Sequence, residues 1–370
     1  MDRIKTGLYF HIPFCRSKCP YCDFYSLASR GCSEEYVNSL CDEMRTFERT
    51  GDFIKKNEKI AVDTVYFGGG TPSLLSSSQI KRLLDTVREC FDVYEDSEIT
   101  LECNPSSEGL GEFLAACKNA GVNRISLGMQ SSDNGERKRL GRRGGAADVA
   151  TATELARSAG IENISLDVMV GVPGSTKESL KATLDFALSL DVPHISAYML
   201  KIEEGTYYHK NLHKLSLPSE DETADMYLFM SQYLRENGFM HYEISNFCKE
   251  GFFSRHNMKY WEGVPYIGFG PSAHSFYDNK RFYFPADLDA FIKGEKAVYD
   301  GDGGDDEEAL MLSLRTHKGI SLENRSDEFM LLIRNYIRHG LGEEKNGNFV
   351  LTPEGMLISN AIILQLTEKL

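Results

Sequence analysis

The first two hundred residues alternate short β-rich runs with amphipathic stretches, and this alternation restricts the fold more than any other feature. Candidate strands cover residues 7–12, 64–67, 98–102, 124–128, 164–170 and 194–199. They are rich in β-branched and aromatic side chains, which suit a pleated, half-buried surface. Between most of them lie segments with helical spacing of apolar residues, at 76–91, 110–120, 147–159 and 177–190. Gly121 and Gly160 follow two of these segments, where helix C-caps are expected. Repeated strand-then-helix units imply an α/β fold with a parallel sheet, either open or rolled into a barrel. Periodicity alone leaves that choice open.

After about residue 200 the pattern changes. Helical stretches dominate, with residues 221–237 the clearest, and residues 239–284 read as aromatic-rich loops. The acidic run DGGDDEE at 302–308 reads as a loop leading into a helix. The end of the chain has a winged-helix-like order: a helix at 327–338, a turn at Gly340, an extended run at 348–352 and a helix at 353–370. The expected division is 1–215 for the β/α core and 216–370 for a mainly helical C-terminal domain. Winged helices often bind DNA, but the net charge is −14 and acidic residues are interspersed through this one. Binding to nucleic-acid phosphates is therefore not expected, and the unit reads as a cap. No apolar run reaches the roughly 18–20 residues of a membrane span, and the N-terminus has no signal-peptide core, so a cytoplasmic location is expected.

Nine cysteines is an odd number, and three are bunched as C-x3-C-x2-C at Cys15, Cys19 and Cys22, in HIPFCRSKCPYCDFYS. In a reducing compartment such a bunch points to metal rather than disulfides. Three thiolates on one loop can hold three irons of a 4Fe–4S cube and leave the fourth open to an exogenous ligand. The alternative is a structural zinc with Cys32 or His11 as a fourth ligand. Cys32, Cys41, Cys90, Cys103, Cys117 and Cys248 have no metal spacing and read as buried thiols. GGGTP, from Gly68 to Pro72, directly follows the second candidate strand, where a turn without side chains lets backbone approach a ligand. Glu102, Gln130 and Asp167 are polar residues in or just beyond apolar strands. Each alone reads as a strand-end residue. Together they suit one face of a barrel, where α/β-barrel sites lie.

The cysteine loop resembles the cluster loop of the radical-SAM superfamily. The resemblance implies that the amino and carboxylate groups of S-adenosylmethionine (SAM) occupy the fourth iron. An electron from the reduced cluster can then split SAM into methionine and a 5′-deoxyadenosyl radical. It further implies that Tyr21 and Phe24 pack beside the cluster and that the GGGTP turn meets the SAM amino group. It assigns Tyr9, Gly69, Gly70, Thr71, Glu102, Gln130, Arg142, Asp167 and Ala197 to SAM contacts, with Arg142, in RLGRRG, suited to pairing with a carboxylate.

Along nearly its whole length the chain is similar to the coproporphyrinogen-oxidase-like group of that superfamily. This implies a partial, six-unit (β/α) barrel of the TIM type followed by a C-terminal domain. The group contains oxygen-independent coproporphyrinogen III oxidase and a heme-chaperone branch, often called HemW. Three features resemble the second. The oxidase has a further cysteine two residues after the third ligand, where this chain has Phe24. AYMLKIEEGTYY, beginning at Ala197, and HYEISNF, beginning at His241, resemble the chaperone branch. HNMKYW, from His256 to Trp261, fits its HNxxYW heme-binding motif. The resemblance makes His256 an axial heme ligand. Tyr260 and Trp261 would flank the porphyrin, Arg255 and Lys259 would meet its propionates, and His241 or His274 would serve as a second ligand. Read without the resemblance, the motif is a surface loop packed on the barrel.

The expected function is therefore a heme chaperone using a 4Fe–4S cluster and SAM. It would deliver heme to an acceptor such as a respiratory membrane protein, at the periphery of the inner membrane, and a homodimer fits this role. The alternative is coproporphyrinogen III oxidase or another radical-SAM porphyrin-modifying enzyme; no catalytic residue is assigned. Gly144 and Ser132 depart from the histidine and phenylalanine common in the group, near the expected SAM and substrate pocket.

Overall fold

Six strands lie side by side in chain order and all run parallel: β1 (Thr6–Ile12), β2 (Ala61–Gly69), β3 (Asp92–Cys103), β4 (Arg124–Gln130), β5 (Asn163–Val170) and β6 (His194–Met199). They come from a computed structural model that describes residues 3–29, 31–50 and 59–370. Each contains one of the expected strands. β3 starts earlier than its apolar pattern, because main-chain pairing of Ala61 with Asp92 and Val62 with Val93 needs no apolar side chain.

Successive strand residues point to opposite faces, and both faces of this sheet are used. One set, including Leu8, Phe10, Val65, Phe67, Leu101, Leu127, Leu166 and Ile195, is buried in a core shared with the covering helices. Those helices are Ser77–Cys90, Leu110–Ala120, Ala146–Ser158 and Lys177–Ser189. Their inner stripes, such as Ile80, Leu83, Leu84 and Val87 on the first, recur every three or four residues. Ser76 and Gln79 form a reciprocal capping box that starts that helix, and Gly121, at φ 117°, ends the next. The other set is polar and faces the concave side: Tyr9, Thr64, Tyr66, Glu98, Glu102, Arg124, Ser126 and Asp167. This polar lining follows from strand alternation and makes the interior of the partial barrel a site rather than a second apolar core.

The sheet continues past residue 215. β7 (Met240–Glu243) and β8 (Asn246–Cys248) add antiparallel beyond β6. β9 (Tyr266–Phe269) adds parallel to the outer edge of β1, and β10 (His274–Tyr277), β11 (Lys280–Tyr283) and β12 (Val298–Asp302) follow antiparallel. The stretch expected as aromatic loops is therefore largely strand, plus the short helix Arg255–Trp261. Strands of three or four residues give too little alternation to read from sequence. The remaining C-terminal elements include the helix Glu220–Glu236 and the winged-helix-like end, with helix Asp327–Arg338 and the hairpin Gly342–Lys345 and Asn348–Leu351. The last expected helix is two, Pro353–Leu357 and Ser359–Thr367, broken at Ile358, which leaves helical geometry at φ −113°. No helix among the described residues is long and apolar enough to cross a membrane.

Candidate functional site

A cavity of about 570 Å³ opens at the C-terminal ends of the parallel strands, within the size range of small-molecule sites. Twelve of the expected site residues line it: Cys15, Cys19, Tyr21, Cys22, Phe24, Gly69, Gly70, Thr71, Glu102, Gln130, Arg142 and Asp167. The cysteine loop forms one wall and leaves β1 through Phe14 and Cys15, which pair with Leu27 and Ala28. The GGGTP turn docks on that wall. The Gly70 amide donates to the Ile12 carbonyl at 2.9 Å and the Thr71 amide to the Phe14 carbonyl at 2.8 Å. Gly69 sits at φ 102°, where a Cβ would also meet the His11 ring at 2.6 Å.

The donor set fits a cluster. All three thiols are free and part-exposed. Three soft thiolates on one loop suit a cube that takes each at its own corner. His11 is also engaged, with Nδ1 3.1 Å from the Tyr9 hydroxyl and Nε2 2.8 Å from the Tyr25 carbonyl. The Thr71 hydroxyl points at Cys15 Sγ at 3.6 Å and the Arg142 guanidinium at Cys19 Sγ at 3.7 Å, contacts that suit anionic sulfur. Burial pushes the Cys22 thiol up, so deprotonation there calls for a metal partner.

Opposite the thiols stand two half-buried carboxyls. Tyr66 donates to Glu102 at 2.8 Å and Ser126 to Asp167 at 2.8 Å. Burial, then the neighbouring Asp167 charge, push Glu102 up to about 7. Burial pushes Asp167 up to about 6 against the Ser126 hydrogen bond. A cationic ligand would relieve both, and SAM carries an ammonium and a sulfonium. In the protein without SAM, both carboxyls add stability that is complete below about pH 4, the unfolded range. That stability is lost as pH rises through about 6 and 7. The denaturation midpoint of the SAM-free protein should therefore fall between pH 5 and 8. Glu102→Gln should flatten the slope, and an unchanged slope would contradict the burial of this charge.

Gln130 ends β4 at φ 69°, a left-handed conformation uncommon outside glycine, and it turns into the cavity. Arg142 meets no carboxylate at salt-bridge distance among the described residues; it donates instead to the Gly128 carbonyl at 2.7 Å. Burial alone would lower its pKa, but Tyr21 and Cys19 beside it raise it. Ala197 points the other way, into the helix-facing core, so only its main chain can face a ligand. Tyr9 lies deeper, its ring 6.2 Å from that of Tyr66. Gly144 and Ser132 do not line the cavity. Gly144 takes φ 73° and a Cβ there would meet Ser106 and Asp148, while Ser132 Oγ lies 3.2 Å from the Thr183 hydroxyl. Tyr66, Ser126, Tyr198 and Lys201 also line the cavity and were missed. Tyr66 was findable: it alternates with Gly68 on the inward face of β2.

The HNMKYW motif lies elsewhere. Its helix, Arg255–Trp261, closes the opposite end of the barrel at the strand starts. Glu98 accepts the Arg255 and His256 amides at 3.0 and 3.1 Å, satisfying two free donors of the helix N-terminus. His256 is fully buried, with Nδ1 2.8 Å from the Thr64 hydroxyl and Nε2 2.8 Å from the Tyr260 hydroxyl. Burial lowers its pKa to about 3. The ring lies against that of Tyr66 at 5.2 Å. Lys259 pairs with Asp63 at 2.7 Å and Arg255 with Asp63 at 3.4 Å, so both expected propionate partners are already engaged, Lys259 buried and Arg255 part-exposed. Trp261 packs on the small cluster of Tyr242, Cys248 and Met258. His241 stacks on Phe247 at 4.1 Å with its pKa lowered by burial to about 4, and His274 stacks on Tyr283 at 5.3 Å in the antiparallel extension of the sheet.

His256 thus supports Tyr66, and Tyr66 holds Glu102. His256→Ala should cost about 2–4 kcal/mol through a cavity and two stranded hydroxyls, and should weaken SAM binding while bound iron is retained. An unchanged denaturation midpoint would remove this supporting role.

The model of the radical SAM superfamily matches residues 9–187. The heme chaperone HemW of Bacillus subtilis is 35% identical over 376 residues, covering 96% of this chain and 97% of its own. The chain belongs to the HemW family of radical-SAM proteins. The heme chaperone HemW of Lactococcus lactis is 36% identical, over 88% of this chain and 85% of the relative. Among solved structures, coproporphyrinogen III oxidase (HemN) from Escherichia coli superposes with a TM-score of 0.81 at 21% identity, covering 100% of this chain and 91% of its own. That likeness speaks to the fold. As a radical-SAM protein, this HemW-family chain uses a 4Fe–4S cluster and SAM.

Proposed function

We propose that the protein is a heme chaperone: it binds heme and passes it to an acceptor protein, with a cluster and SAM in the barrel cavity. The carrying observation is the end-to-end similarity to the B. subtilis protein named as a heme chaperone. In this reading Cys15, Cys19 and Cys22 hold the cluster. Gly69, Gly70, Thr71, Glu102, Gln130, Arg142 and Asp167 hold SAM, and Tyr9 and Ala197 support that pocket from behind. When reduced, a cluster with bound SAM supplies one-electron chemistry.

The chain's own residues divide that task. The thiols fix the cluster at the wall. The GGGTP turn brings main chain close without side chains. Glu102 and Asp167 offer negative charge to a cationic ligand, and Tyr66 and Ser126 orient them. Phe24 stands where the oxidase has a further cysteine, which supports the chaperone over the oxidase. Heme ligation by His256 would require the helix Arg255–Trp261 to leave the barrel floor, since both ring nitrogens are occupied there. An acceptor among respiratory membrane proteins, met at the cytoplasmic face of the inner membrane, and a homodimeric state complete the proposal.

An anaerobic heme titration of the cluster-reconstituted protein tests it. Saturable binding of about one heme per chain is expected. No specific binding, together with turnover of coproporphyrinogen III, would favour the oxidase reading.

A further inference from the structure

We propose that heme sits at the rim of the cluster cavity, with its two propionates on Arg16 and Arg143 and its ring edge on Phe24 and Tyr198. This inference rests on the heme-chaperone reading and gives it a site that the HNMKYW motif does not provide.

The first support is charge. The chain carries a net −14, yet Arg16 and Arg143 are exposed and both line the mouth of the cavity. Among the described residues neither guanidinium has an ion pair or hydrogen bond. Nearby cations are committed: Arg142 to Gly128 and Cys19, Lys201 to Glu203, and Lys18 to the Phe24 carbonyl. Two uncommitted planar forks at one opening suit two carboxylates, since arginine binds carboxylate through paired hydrogen bonds.

The second support is apolar exposure. Phe24 is 66% exposed and Tyr198 42%, and both line the same cavity. Met199, beside Tyr198, and Tyr207 are exposed as well, at 38% and 63%. The segment carrying them lies against the cysteine loop. The Tyr208 amide donates to the Pro20 carbonyl at 2.9 Å, and the Tyr208 ring is 6.4 Å from that of Tyr21. A single exposed aromatic is ordinary. Phe24 and Tyr198 on one rim, beside two free guanidiniums, mark a site for a ligand that is apolar in its body and doubly anionic at one edge. Heme has that chemistry. SAM, with a sulfonium, an ammonium and a single carboxylate, is not doubly anionic.

The third support is exclusion from the floor. His256, Arg255 and Lys259 are tied into the barrel by Thr64, Glu98 and Asp63. The rim is open without any rearrangement.

The test compares heme titrations of the reconstituted wild-type protein and of Arg16→Glu, Arg143→Glu and the double variant, each normalised to bound iron and sulfide. Heme affinity should fall about tenfold or more for each reversal, the loss expected for a charge-assisted bond. Because Arg16 adjoins Cys15, a second measurement avoids cluster damage: heme dimethyl ester, whose propionates are uncharged, titrated into the wild type. The ester should bind at least about tenfold more weakly than heme. If wild type binds heme and both the reversals and the ester bind equally well, the rim site is wrong and the chaperone reading stands. If wild type binds no heme, the chaperone reading itself falls and takes the rim site with it.

Discussion

Alanine at any one of Cys15, Cys19 or Cys22 is expected to remove the broad visible absorbance of the reconstituted protein and lower bound iron at least about tenfold. Each thiolate supplies one iron of a cube, and no other cysteine stands on the cavity wall except Cys103, whose thiol burial drives far above its ordinary value. His11 cannot substitute, because both of its ring nitrogens are occupied. Losing one of three ligands should exceed the 10- to 100-fold effect typical of losing a group that merely orients a ligand. Cys32→Ala is the matched control, and it should retain iron and sulfide. Full iron in any of the three loop variants would remove that cysteine from the ligand set. Full iron in all three would overturn the cluster assignment.

Gly70→Ala should be the most damaging single-methyl change in the site. Its Cβ would lie 2.6 Å from the Ile12 carbonyl oxygen and 2.7 Å from that of Phe14. Both are backbone atoms, so neither can swing away as a side-chain tip would. Relief requires moving the turn off the cysteine loop, which breaks the two hydrogen bonds that join them. Overpacking of this kind costs about 1–3 kcal/mol, read as a lower denaturation midpoint. The displacement also moves Thr71 away from Cys15, so SAM affinity should fall more than tenfold and cluster loading should drop. Wild-type stability together with wild-type SAM affinity would show that the turn does not seat the ligand.

Much of the site was legible because its signals are local. The thiol spacing, the glycine turn after β2 and the strand-end Glu102, Gln130 and Asp167 each lie within a few residues of chain, and strand alternation sends them to one face. A residue's partners within the fold were not legible. Arg142, assigned to SAM, lines the cavity and is held there by Gly128 and Cys19, 14 and 123 residues away. Gly144 and Ser132 were expected near the pocket; neither lines it, but Gly144 adjoins Arg143 and Ser106, which do, and Ser132 faces Thr183. Tyr66, Ser126 and Tyr198 went unnoticed because an aromatic or serine in a strand carries no chemical signature until its facing neighbour is known.

The sequence by itself determined the parallel α/β core and the cysteine loop. Both depend on short-range periodicity and spacing, which dictate local conformation and ligand count whatever surrounds them. Only the tertiary structure decided where the HNMKYW helix goes. Its partners Glu98 and Thr64 lie 158 and 192 residues from His256. A buried polar residue must find partners, but composition does not say which. Once Glu98 caps that helix and Asp63 holds Lys259, its histidine is a support under Tyr66 and Glu102, and the open surface for a dianionic apolar ligand is at the other end of the barrel.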